Sequence, residues 1–155
     1  MGTEIERKFL VRDRSVLDGS AGVPYRQGYL SVDPARTVRV RRAGEHAFLT
    51  VKGIGDGPSR AEFEYEIPLE DAEALLAICL PSPIVKTRHR VEAGGRTWEI
   101  DVFAGENAGL VVAEVELPVA DAVVTIPEWA GEEVTGDERY YNSSLARRPF
   151  RDWTD

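Results

Sequence analysis

Thr3-Glu-Ile-Glu-Arg-Lys-Phe-Leu-Val11 alternates charged and apolar side chains along most of its length. In an extended strand successive side chains point to opposite faces, so Glu4, Glu6 and Lys8 share one face while Ile5 and Phe9 share the other. Two carboxylates beside an ammonium are the groups that hold a hard divalent cation and the phosphate that travels with it. The same alternation describes any half-buried surface strand, so this stretch alone leaves both readings open. The rest of the chain has to decide between them.

Short alternating segments recur, separated by glycine-containing turns at Ala43-Gly-Glu45, Gly53-Ile-Gly-Asp-Gly57 and Ala93-Gly-Gly95. The pattern predicts strands over residues 3–11, 24–32, 36–43, 46–53, 60–68, 84–93, 96–103 and 110–118, an antiparallel meander. A helix is predicted over Glu70–Leu80, stopped by Pro81, with others near Pro127–Gly131 and Arg139–Ala146; the tail after Arg147 is expected to fray. The fold class is mainly β (α+β): an eight-stranded antiparallel β-barrel with a few short helices packed outside.

A chain of 155 residues suits one domain spanning 1–155 with a real core. No apolar run is long enough to span a bilayer, and Met1 leads straight into a charged strand rather than a signal peptide. The one cysteine, Cys79, excludes an intramolecular disulfide and reads as a core thiol; with only His46 and His89 beside it, no zinc cluster can be assembled. These features suit the reducing cytoplasm. A net charge of −8 opposes general binding to nucleic acid or to an anionic membrane. Basic residues nevertheless cluster on particular strands, which points to an internal basic site.

Taken in register, one face collects Glu4, Glu6 and Lys8; Arg39 and Arg41; Lys52; Glu62, Glu64 and Glu66; Lys86, Arg88 and Arg90; Glu99 and Asp101; Glu114 and Glu116. The opposite face collects apolar residues such as Val40, Leu49, Phe63, Trp98, Ile100 and Val115. Periodicity does not say which face is turned into a barrel. Segregation by sign favours charges inside, because solubility asks for mixed signs and like charges two residues apart repel. A lumen with cationic and carboxylate walls suits a condensed phosphate with its divalent metal, arginine gripping oxygens through its bidentate fork.

Glu4-x-Glu6-x-Lys8 followed by Phe9-Leu-Val11 resembles the opening motif of the CYTH domain, the bacterial branch of the triphosphate tunnel metalloenzymes. Similar segments run onward: Gln27-Gly-Tyr-Leu30, Thr37-Val-Arg-Val-Arg41, Thr50-Val-Lys-Gly53, Glu62-Phe-Glu-Tyr-Glu66, Lys86-Thr-Arg88, Trp98 to Phe103, Ala113 to Leu117 and Glu133 to Asp137 with Tyr141-Asn142. The resemblance covers roughly residues 3–146 and is specific. It implies a barrel whose charged faces line a tunnel, acting on triphosphate compounds with Mg2+ or Mn2+. By residue matching it implies Glu4, Glu6, Glu114 and Glu116 as metal ligands with Glu64 and Asp101 assisting, and Lys8, Arg39, Arg41, Lys52, Lys86 and Arg88 on the triphosphate. Two departures stand out: His89 replaces a frequent aromatic, and the stretch Arg12–Gly22, where a plug helix could form, is brief.

The leading expectation is metal-dependent hydrolysis of inorganic tripolyphosphate, which needs only the charges named. An adenylate cyclase or a nucleoside or thiamine triphosphatase would need a ring pocket, and a noncatalytic polyphosphate or nucleotide binder would have little use for the carboxylates. For the attacking water, candidates are Glu64 or Glu66, or Tyr29 paired with Lys8. The Gly53–Gly57 run lacks a P-loop ending, and Ser143 and Ser144 have no histidine or acid at triad spacing. The partner is a small triphosphate, and the outer apolar faces leave room for a homodimer.

Overall fold

The computed structural model describes residues 2–56 and 59–153, and their side chains except at residues 2–4 and 56. Eight strands follow the alternation: β1 (Gly2–Val11), β2 (Val23–Ser31), β3 (Arg36–Ala43), β4 (His46–Asp56), β5 (Ser59–Ile67), β6 (Ile84–Ala93), β7 (Arg96–Phe103) and β8 (Val111–Glu116). Their hydrogen-bonded order is β5-β4-β3-β2-β6-β7-β8-β1, and β1 also pairs with β5, so the antiparallel sheet closes on itself. Closure removes the free edges that an open sheet of this length would expose. The β1–β5 seam is short, from Gly2↔Glu62 to Ile5↔Ser59. Beyond it a ninth strand, β9 (Ala130–Glu133), pairs with β1.

Outer apolar faces are covered in two places. Helix α1 (Leu69–Ala77) lays Ala72, Leu75 and Leu76 on Val40, Ala47 and Leu49 of β3 and β4. Glu70 and Asp71 in its first turn suit the positive end of the helix dipole. Elsewhere Phe9, Trp98, Ile100 and Val115 form a cluster capped by Trp129, whose ring meets Trp98 edge-on at 5.4 Å.

The inward face changes character along the barrel. Tyr29, Ile84, Phe103 and Val112 lie at one end, each in line with inward charged neighbours, and they pack against Val134, Tyr140, Leu145 and Ala146. The C-terminal segment therefore seals part of that end, leaving the charged stretch of the lumen above an apolar floor.

Five expectations are corrected. The strands are antiparallel but not a simple meander: β2 pairs with β6, and β1 with β8 and β5, so the chain crosses over between β5 and β6 to close the barrel. Pro127–Gly131 is not a helix: the chain turns and enters β9, because β1 has an unpaired edge beyond the end of β5. Arg139–Ala146 is split into a 3-10 turn (Glu138–Tyr140) and the one-turn helix α2 (Asn142–Leu145), separated by Tyr141 in an extended conformation. Within Arg12–Gly22 there is only a 3-10 turn, Arg14–Leu17, capped by Asp13; Val16 and Leu17 pack on the outer cluster. After Arg147 the tail does not fray at once, since Phe150 and Trp153 pack against the floor. Among the described residues no helix is long and apolar enough to cross a membrane.

Candidate active site

A cavity of about 220 Å³ occupies the lumen, and its walls are the charged faces of the strands. Strands of single sign are tolerated because each basic strand lies beside an acidic or neutral one. Register places Lys52 opposite Glu62, Arg39 opposite Thr50, and Thr50 opposite Glu64. Arg39 Nη2 donates to Thr50 Oγ1 at 3.2 Å and lies 3.5 Å from Glu64, and Thr50 in turn donates to Glu64 at 3.1 Å. Arg39 Nε is buried without a hydrogen-bond partner among the described atoms. An orphaned donor on a buried cation costs free energy unless an anion arrives.

Arg41, two residues on, faces Gln27 rather than a carboxylate: its Nε donates to Gln27 Oε1 at 2.8 Å, and its guanidinium lies 5.0 Å from the Tyr25 ring. Withdrawal from water, then the nearby charges of Arg39 and Arg88, push it down to about 10. A bound anion would offset both by its attraction for the guanidinium.

Across the lumen β6 and β7 supply a buried ionic cluster. Asp101 is 2.7 Å from Lys86 Nζ and accepts two hydrogen bonds from Arg88, at 2.8 and 2.9 Å. Burial opposes the Asp101 charge, but Lys86 and Arg88 outweigh it and hold the carboxyl at about 2. Burial likewise opposes Arg88, whose charge Asp101 then strongly favours. For Lys86 burial wins, and its ammonium is pushed down to about 7 despite Asp101.

The carboxylate wall is built by β1 and β8. Glu6 stands opposite Glu116 and Lys8 opposite Glu114, with Glu114 also opposite Glu99 of β7. Like charges directly opposite repel. Glu114 shares a hydrogen bond with Glu6 and lies 3.7 Å from Lys8; burial opposes its charge, yet these neighbours hold it well below the usual carboxylate range. Two carboxylates in contact need a proton or a cation between them, and oxygen donors of this kind fit Mg2+ or Mn2+. Among the described residues no three acidic, histidine or cysteine side chains already close around one point. The Glu4 side chain lies outside the described residues.

The CYTH domain model matches residues 2–150. The chain belongs to the CYTH domain family. An inorganic triphosphatase of Acetivibrio thermocellus is 46% identical over 156 residues, spanning 100% of both chains. One from Nitrosomonas europaea is 42% identical over 150 residues, covering 93% of this chain and 97% of that protein. A crystal structure of an inorganic triphosphatase superposes with a TM-score of 0.68 at 39% identity, covering 94% of this chain and 95% of the other.

Within this CYTH barrel, Glu6, Lys8, Tyr29, Arg39, Arg41, Lys52, Glu64, Lys86, Arg88, Glu114 and Glu116 all line the one cavity. Two candidates do not. Glu66 stands at the rim, its Oε2 2.9 Å from His46 Nδ1. Asp101 is 2% exposed and sits behind Lys86 and Arg88. Tyr29 lies opposite Arg39 and accepts from Gln27, whereas Lys8 approaches Glu114 and the ring of Tyr141. The cavity also includes Arg60, Thr37, Thr135 and residues 141–143. Arg60 shares the parity of Glu62 and Glu64 and was available to the same strand reading; a β4 bulge lets its Nε reach Gly53 O at 3.2 Å.

Proposed function

We propose that this chain is a metal-dependent phosphohydrolase acting on inorganic tripolyphosphate in the cytoplasm. The observation that carries the reading is the pairing, in one cavity, of a cation wall containing the unsatisfied donor Arg39 Nε with a carboxylate wall whose members touch. Two relatives of nearly equal length, both inorganic triphosphatases, support it.

Arg39, Arg41, Lys52, Lys86 and Arg88, joined by Lys8, bind the phosphate oxygens. Because the cations are fixed by neighbouring strands before substrate arrives, little reorganisation is needed as charge develops on the leaving oxygen. Glu4, Glu6, Glu114 and Glu116 would hold the Mg2+ or Mn2+, which supplies neutralisation of charge on the transferred phosphoryl group. Glu64, anchored by Thr50 and Arg39, is placed to orient a water and accept its proton. Asp101 acts as the counterion that keeps Lys86 and Arg88 aligned. Exposed outer residues such as Leu30, Ile78, Leu80 and Val85 are the apolar surface a homodimer would use.

The test is phosphate release from tripolyphosphate and from ATP, each with Mg2+, Mn2+ or chelator, for the native protein and a Glu4→Ala/Glu6→Ala variant. Metal-dependent cleavage of tripolyphosphate that is faster than that of ATP and lost in the variant is expected. Absence of turnover with either substrate under every metal would overturn the hydrolase reading.

A further inference from the structure

Two amide side chains touch the cations of the lumen, Asn142 in its wall and Gln27 buried behind it. Asn142 Oδ1, on α2, accepts from Lys86 Nζ at 3.0 Å and from Gln27 Nε2 at 3.2 Å. Gln27 Oε1 accepts from Arg41 Nε at 2.8 Å, while Gln27 Nε2 also reaches Tyr29 Oη at 3.2 Å. The chain Lys86–Asn142–Gln27–Arg41 therefore links β6, α2, β2 and β3 through two amides. Their orientation is dictated by chemistry: Lys and Arg only donate, so an amide oxygen must face each. Gln27 is fully buried, so its contacts are not those of a surface side chain.

Carboxylates stand beside Lys8, Arg39, Lys52 and Arg88, and Asp101 already faces Lys86 at 2.7 Å, whereas Arg41 meets the Gln27 amide and the Tyr25 ring. A carboxylate at position 27 or 142 would hydrogen-bond the same cations more strongly. It would also cancel the charge they offer an incoming anion. We propose that Gln27 and Asn142 are positioning residues of the phosphate site: neutral acceptors that aim Arg41 and Lys86 into the cavity, keeping the Arg41 charge for the substrate and adding no second negative charge to the one Asp101 already sets beside Lys86. The role deepens the triphosphatase reading and rests on it for the identity of the anion.

The substitution Asn142→Asp keeps size and the Oδ1 acceptor that Lys86 and Gln27 use and adds charge, so it separates this role from packing; Gln27→Glu adds charge but also removes the Nε2 donor to Asn142 and Tyr29. Asn142→Ala removes the acceptor without adding charge. Binding of tripolyphosphate in chelator is measured by calorimetry on all four proteins, followed by KM and kcat with metal. Each acidic variant is expected to weaken binding by about tenfold or more at low salt, with the loss shrinking as ionic strength rises. KM should rise in parallel and kcat should change far less; the melting temperature should be unchanged or higher for Asn142→Asp and lower for Gln27→Glu, which loses the Nε2 donor. Asn142→Ala should melt lower and bind better than Asn142→Asp. If Asn142→Asp binds like the native protein, or no worse than Asn142→Ala, the proposal is overturned, as it is if native protein binds no tripolyphosphate. Native protein that binds as expected but releases no phosphate would overturn only the hydrolase reading, because the charge effect is read without turnover.

Discussion

Asp101 shows how a residue's role follows from what lies across the sheet rather than from its own chemistry. Its carboxylate is the buried counterion of Lys86 and Arg88. Removing one partner of such a cluster leaves uncompensated charge, so Asp101→Asn is expected to cost on the order of 3 kcal/mol in chemical denaturation. A metal-ligand role would instead make the loss of stability small and the loss of metal affinity large. Lys86 carries a pH signature. Burial lowers its folded value to about 7 from an ordinary 10.5, so between those values the unfolded chain holds a proton that the folded chain has released. This group's contribution to stability therefore rises with pH across that window. The difference in unfolding free energy between native protein and Lys86→Met should shift in the native protein's favour from pH 7 to pH 9; a flat difference would contradict the assignment.

Among the elements, α1 is held against the barrel by a close approach that only glycine permits. A Cβ built on Gly28 would lie 2.8 Å from Cys79 Cβ and 2.9 Å from its Sγ, just beyond the end of the helix. Gly28→Ala should destabilise the fold by about 1–3 kcal/mol and speed thiol labelling of Cys79 as this end of the helix lifts. Unchanged labelling would mean that the contact relaxes locally. Alternation made every barrel strand legible, because a period of two survives without tertiary information. Arg60 shares the parity of Glu62 yet stands outside the set of charges read from the sequence, because its place in the lumen depends on the β4 irregularity between Lys52 and Gly55. Pro127–Gly131 was misread since β9 exists only where β1 offers an unpaired edge, which no local pattern encodes. Thr135 and residues 141–143 reach the cavity from a turn and a single helical turn, neither of which has a periodicity to read. Asp101 shares the parity of the inward charges, yet register with Arg88 is what withdraws it from the cavity.

For the whole molecule, periodicity alone leaves inside and outside open, since a barrel and its inversion share one pattern, and it is the segregation of charge by sign along the strands that points the charged faces inward. Opposite charges facing across strands, such as Lys52 and Glu62 or Arg88 and Asp101, offset the cost of turning charge inward, and the unsatisfied Arg39 Nε and the crowded cations around Arg41 suit the cationic wall to an anion. Tripolyphosphate in chelator should therefore stabilise the protein, by about 2.7 kcal/mol at a hundredfold excess over Kd. A melting temperature indifferent to the anion would contradict the cationic wall as a binding surface. Closure of the barrel also sets an order of events during synthesis. β1 emerges well before β8, yet the pairs Glu6↔Glu116 and Lys8↔Glu114 join those two strands. A nascent chain halted before residue 111 thus carries half of its acidic wall with nothing to face. The capacity to bind substrate arrives late in translation and all together, when the last barrel strand meets the first.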